Sequence, residues 1–177
     1  MTQPTVRRII AAFLLCMPVA CDQIMPNREE LTVPTAAEAA AVYARHGITA
    51  DVTLNGNVVE VSVKQDAAQL QRGGSLWARV GPYIYAFSPA TREVFDTWPG
   101  VAGVRVITTH GSYGVEVARA LLTRDRLNDI TWQRALNLLG TALQEGTERP
   151  SRLEALVEWG EEHTKYQYNE EYVPNRS

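Results

Sequence analysis

The stretch ITADVTLNGNVVEVSV, residues 48–63, decides the fold. Two alternating runs, Ile48 to Leu54 and Asn57 to Val63, flank Asn55-Gly56, the pair that most favours a type I′ hairpin turn. A two-residue loop there pairs Leu54 with Asn57, Val52 with Val59, Ala50 with Val61 and Ile48 with Val63. These residues share one face of the hairpin, while Asp51, Thr53, Glu60, Ser62 and Lys64 share the other. Turn chemistry and period-two alternation therefore agree on a half-buried antiparallel hairpin.

Upstream of the hairpin, Thr35-Ala-Ala-Glu38 is a capping-box pattern. Ala39, Val42, Tyr43 and His46 follow on one helical face, with Gly47 as a stop. Downstream, Ser75 to Trp98 holds six of the 14 aromatic residues. Trp77, Val80, Ile84 and Phe87 recur at helical spacing, but Gly81-Pro82 interrupts them, and Pro82 is expected to kink or end the helix. Ser88-Pro89 reads as an N-cap and first-turn proline opening a short helix that closes at Pro99-Gly100. Val101 to Thr109 alternates like a strand, and Val115 to Leu122 reads either as its partner across a loop of His110 to Tyr113 or as the start of a helix. That loop sets Val106 opposite Val117 and Thr108 opposite Val115.

The last third is helical. Trp132, Ala135, Leu136, Leu139 and Leu143 form one stripe. Leu153, Leu156, Val157 and Gly160 form another, behind a second capping-box pattern at Ser151 and Glu154. From Lys165 the chain alternates through Tyr166, Gln167 and Tyr168, then turns polar. The expected fold is α+β: an antiparallel sheet of about four strands in two hairpins, with helices packed on one face. One helix precedes the sheet and two or three follow it. Residues 35–166 make a single domain and 167–177 a C-terminal tail.

At 177 residues with 45% hydrophobic content, the chain can bury a core without staples. A net charge of −3 speaks against a phosphate-binding surface, so nucleic acid is not an expected partner. Two cysteines exclude a disulfide-dense scaffold. Both lie near the start, at Cys16 and Cys21. There Arg7 and Arg8 precede an apolar run from Ile9 to Ala20, the layout of a secretory signal in residues 1–20. The run is shorter than the roughly 20 apolar residues that a membrane-spanning helix needs.

Pro18-Val19-Ala20-Cys21 resembles the lipobox of bacterial lipoproteins. Val19 and Ala20 fit that pattern, and Pro18 departs from the aliphatic residue usual there. An ordinary cleaved signal and an apolar N-terminus that is never processed are the alternatives, although neither needs a Cys at this place. The resemblance implies cleavage before Cys21, a diacylglyceryl group on its thiol, and membrane attachment in the bacterial envelope facing the periplasm. Asp22 resembles the residue that keeps some such proteins in the inner membrane. Residues 21–34 then form a lipidated tether, of which residues 22–34 span at most about 45 Å. Removing residues 1–20 takes away two arginines and no acid, leaving 15 basic against 20 acidic residues, a net of −5.

Chemistry-bearing motifs are sparse. The histidines, His46, His110 and His163, show no paired metal-ligand spacing, and no CxxC occurs. Gly73-Gly74-Ser75 lacks the lysine of a phosphate loop and reads as a helix-start turn. His110-Gly-Ser-Tyr113-Gly sets a base, a hydroxyl and a phenol at a hairpin tip, but a loop residue with no orienting carboxylate in view is a poor catalyst. Core packing accounts for the aromatic segment, with Tyr83, Tyr85, Phe87 and Trp98 as its candidate ligand or partner residues alongside His110 and Tyr113. No cofactor is implied. The expected function is a lipid-anchored binding or scaffold domain that meets another envelope protein or a small ligand. The alternative is a small envelope enzyme with a site assembled around His110 or His163.

Overall fold

The computed structural model describes residues 31–111 and 114–174. Cys21 and the signal-like segment lie outside these residues, as does Tyr113. The described chain is α+β, with a mixed five-stranded sheet in the order β1-β2-β3-β4-β5. Helix α1 (Ala36–Arg45) precedes β1 (Asp51–Asn55) and β2 (Val58–Gln65). Helices α2 (Ala67–Ala86) and α3 (Pro89–Thr97) then lead to β3 (Gly103–His110) and β4 (Glu116–Thr123). A single 3₁₀ turn, Arg124–Arg126, precedes α4 (Asp129–Glu145), α5 (Pro150–His163) and β5 (Lys165–Tyr168).

The sheet is not wholly antiparallel. The two hairpins are joined by β2 and β3 in parallel, from Val58 beside Gly103 to Gln65 beside His110. The reason lies in the chain between them. A 20-residue helix rises about 30 Å, so α2 and α3 carry the chain back to the end where β2 began. A parallel pair needs such a crossover.

The first hairpin forms with its faces as expected and its register moved by two. Asn55 pairs with Val58, Leu54 with Val59 and Val52 with Val61, so the loop is Gly56-Asn57. Gly56 takes φ +61°, and no described non-glycine residue has a positive φ. A type I′ loop over Asn55-Gly56 would require one at Asn55, whereas a loop with Gly in its first place alone does not. A two-residue slip preserves parity, so Val59, Val61 and Val63 stay in the core.

In the second hairpin, Val106 faces Ala120 and Thr108 faces Ala118, not Val117 and Val115. The His110 N–H donates to the Val115 carbonyl, so the strand includes His110. Val117 is the extra residue of a bulge between the Thr108–Ala118 and Thr109–Glu116 pairs, which shifts the register. Strand β5, read in the sequence only as an alternating tail, pairs antiparallel with β4 from Leu121–Lys165 to Ala118–Tyr168. Beyond it, Asn169 donates to the Glu116 carbonyl, and Tyr172 and Val173 pack on Leu70, Ala78, Val117 and Ala118.

Several helices begin and end for legible reasons. Thr35 and Glu38 form the reciprocal capping box of α1. Ser88 caps α3 with Pro89 in the first turn. Helix α2 continues through Pro82, and its break falls at Gly74 instead (φ +56°, ψ −146°). Ser151 is not a cap: α5 starts at Pro150, where a missing N–H costs nothing, and takes Arg149 as its N-cap. The side-chain capping box in this part of the chain belongs to α4, between Asn128 and Thr131. The α4 stripe turns inward at Trp132, Ala135, Leu139 and Ala142, leaving Leu143 61% exposed. In α5, Leu153, Leu156, Val157 and Gly160 are all buried.

Candidate functional site

The aromatic segment is divided between core and helix contacts. Tyr83 and Phe87 are fully buried and stack with ring centroids 6.2 Å apart. Gly160 on α5 makes room for this: a Cβ there would lie 2.4 Å from the Tyr83 ring. The Tyr83 hydroxyl meets that of Tyr168 at 2.6 Å. Tyr168 donates to Glu161 Oε1 at 2.9 Å, and the same oxygen accepts from Arg79 Nη2 at 2.6 Å. Burial raises the pKa of both phenols, and Glu161 adds to the rise. Neither phenol is therefore a base or a nucleophile at neutral pH, and the cluster ties α2, α5 and β5 together.

Tyr85 is half-buried, and its carbonyl accepts from the Ser88 and Thr91 hydroxyls at 2.7 and 2.8 Å. Trp98 is half-buried at the C-terminus of α3. The structure does not gather Tyr83, Tyr85, Phe87 and Trp98 on one exposed surface.

The histidines are separated as well. His46 caps the end of α1 and lies 2.8 Å from Glu93. His110 ends β3 beside Gln65, with its ring 6.1 Å from that of Tyr172. His163 stacks on Trp159 at 3.8 Å, and its Nδ1 lies 2.9 Å from the Trp159 carbonyl. Among the described residues, no group of three His, Cys, Asp or Glu side chains could hold a metal ion.

What the structure does bring together is a groove of about 430 Å³ between α2 and the α4–α5 connection. It straddles the break at Gly74. Gln69 and Arg72 come from before the break, and Leu76 and Trp77 from after it. Thr147, Pro150 and Leu153 supply the facing wall. Trp77 lies across Gly73 so closely that a Cβ there would fall 1.4 Å from its Cδ1. Arg72 is exposed, and among the described residues it is the one charged residue of the lining. The groove has an apolar wall with a single cation at its rim, a geometry suited to binding. The sequence signal that touched it was Gly73-Gly74-Ser75. Its reading as a helix start fits the second half of α2, but the facing wall is some 70 residues away in sequence.

Compared with known proteins, the chain matches no family model, no curated protein and no solved structure.

Proposed function

We propose that this chain is a lipid-anchored binding module of the bacterial cell envelope, held by Cys21 and facing the periplasm. The anchor rests on the lipobox-like Val19-Ala20-Cys21 after a short apolar run. The observation that supports a binding role is where the tether meets the domain. The Thr32 carbonyl accepts from the Gly100 N–H at 2.8 Å, and Gly100 leads into β3. Gly100 is tightly enclosed, since a Cβ there would lie 2.5 Å from the Leu31 carbonyl oxygen. The chain thus enters at the end of the sheet that carries Gly103 and the Gly56-Asn57 loop.

Eight strand residues at about 3.3 Å each separate that end from His110. Helix α2 begins at the His110 end, directly after Gln65, and the groove is lined from Gln69, near that start, to Trp77 at mid-helix. A short tether on one end and a binding groove toward the other is the layout of a module that presents its site away from a bilayer. Its partner is an envelope protein or a small ligand.

The test is metabolic labelling with an alkyne-bearing fatty acid, followed by membrane fractionation. The native chain takes up label and sediments with membranes; Cys21→Ser takes up none and is released. Continued labelling of Cys21→Ser, or an unlabelled native chain, overturns the proposal.

A further inference from the structure

We infer that the groove across the α2 break binds a small organic anion with a flat apolar body, of the aromatic carboxylate class. Three features of different kinds converge on it. The first is charge. Arg72 makes no ion pair among the described residues, and the lining holds no carboxylate, although the chain as a whole carries −3. A lone cation beside an apolar wall selects an anion over a cation. Its guanidinium offers the fork geometry that a carboxylate matches with two parallel hydrogen bonds.

The second feature is the wall. Trp77 is half-buried, so part of it remains at the surface, with Leu76, Pro150 and Leu153 also lining the groove. Aromatic faces accept flat apolar groups in offset stacking. Glycine at position 73 is what lets the Trp77 side chain lie where it does.

The third feature is the backbone. Gly74 adopts φ +56° and ψ −146°, a combination essentially restricted to glycine, in the middle of α2. Breaking a helix has a cost that a continuous helix avoids, and such outliers concentrate at ligand sites. Here the break lies between Arg72 and Trp77, the two side chains that would hold the ligand's charge and its ring. The groove volume of about 430 Å³ falls within the range of small-ligand pockets, about 300–1,000 Å³. Among the described residues, no histidine, cysteine or carboxylate lines it.

The experiment is ligand-observed NMR titration of the full chain carrying Cys21→Ser, with naphthalene-2-carboxylate and its neutral analogue 2-naphthol as probes. With no thiol at position 21 to carry a lipid, the outcome does not depend on whether the native chain is lipidated. The carboxylate is expected to bind about fivefold more tightly than 2-naphthol. Arg72→Gln removes that preference and leaves 2-naphthol unchanged. Thr147→Trp, at an exposed position of the lining, fills the groove and weakens both probes. The inference is overturned if the carboxylate does not bind, if the two probes bind equally, or if the preference survives Arg72→Gln. Binding undiminished in Thr147→Trp overturns it too.

Discussion

Arg124 joins two parts of the fold with one side chain. Its guanidinium donates to the carbonyls of Val101, Phe95 and Trp98 at 2.7, 2.8 and 2.5 Å. It also lies 5.0 Å from the centre of the Phe95 ring. Phe95 and Trp98 are at the end of α3, where the negative end of the helix dipole favours a cation. Burial lowers the Arg124 pKa, yet an arginine remains charged at any working pH. Arg124→Ala leaves three part-buried carbonyls without this donor, and should cost about 2–3 kcal/mol in a urea denaturation series. Arg124→Lys should recover only part of that, because an ammonium cannot reproduce the planar fork. A loss below about 0.5 kcal/mol for the alanine variant, the level of an ordinary surface substitution, would contradict this role. No local pattern announces Arg124, since its acceptors lie 23 to 29 residues upstream. The Thr35–Glu38 box was legible because both of its partners lie within one turn.

Element boundaries divide in the same way between local and distant causes. Ser151-x-x-Glu154 and Asn128-x-x-Thr131 compete as capping signals, and only the second caps a helix in the structure. Asn128 Oδ1 accepts from the Thr131 N–H at 3.0 Å, and Thr131 Oγ1 accepts from the Asn128 N–H at 2.8 Å. Asn128→Ala should therefore lower stability by about 1 kcal/mol. Ser151→Ala, exposed inside α5, should leave it unchanged or slightly raised, since alanine is the better helix former. Thermal unfolding of the two variants checks this, and equal losses would return the cap to Ser151. The first hairpin kept its faces because a slip of two residues preserves parity, so alternation could identify the face but not the register. The second hairpin changed register because of a bulge, which alternation does not encode. Strand β5 is four residues long and exists through pairing with β4, more than 40 positions away. Its Lys-Tyr-Gln-Tyr sequence alone could not show that partner.

Across the whole molecule, two buried phenols, Tyr43 and Tyr83, and a half-buried one, Tyr168, tie distant parts together. Tyr43 meets Thr91 across α1 and α3 at 2.9 Å, while Tyr83 and Tyr168 meet between α2 and β5. Burial raises all three above the ordinary tyrosine value of 10.0. The unfolded chain ionises these groups first as pH rises, so their contribution is fully present below that value and is lost above it. Stability should be level on approach to pH 10 and fall beyond it, read by circular dichroism during alkaline titration. Tyr83→Phe should soften that fall. An alkaline limb identical in Tyr83→Phe would exclude Tyr83 from it. The α+β class was legible from local periods, whereas the crossover that makes the sheet mixed and the groove that crosses α2 both depend on convergence of distant segments.

On the proposed reading, Cys21 carries this domain on a membrane and residues 22–34 tether it there. The most direct measurement is the intact mass of the chain purified from bacterial membranes. A chain beginning at Cys21, heavier than its polypeptide by a diacylglyceryl group, is the predicted result. A chain beginning elsewhere, or carrying an unmodified Cys21, would contradict it.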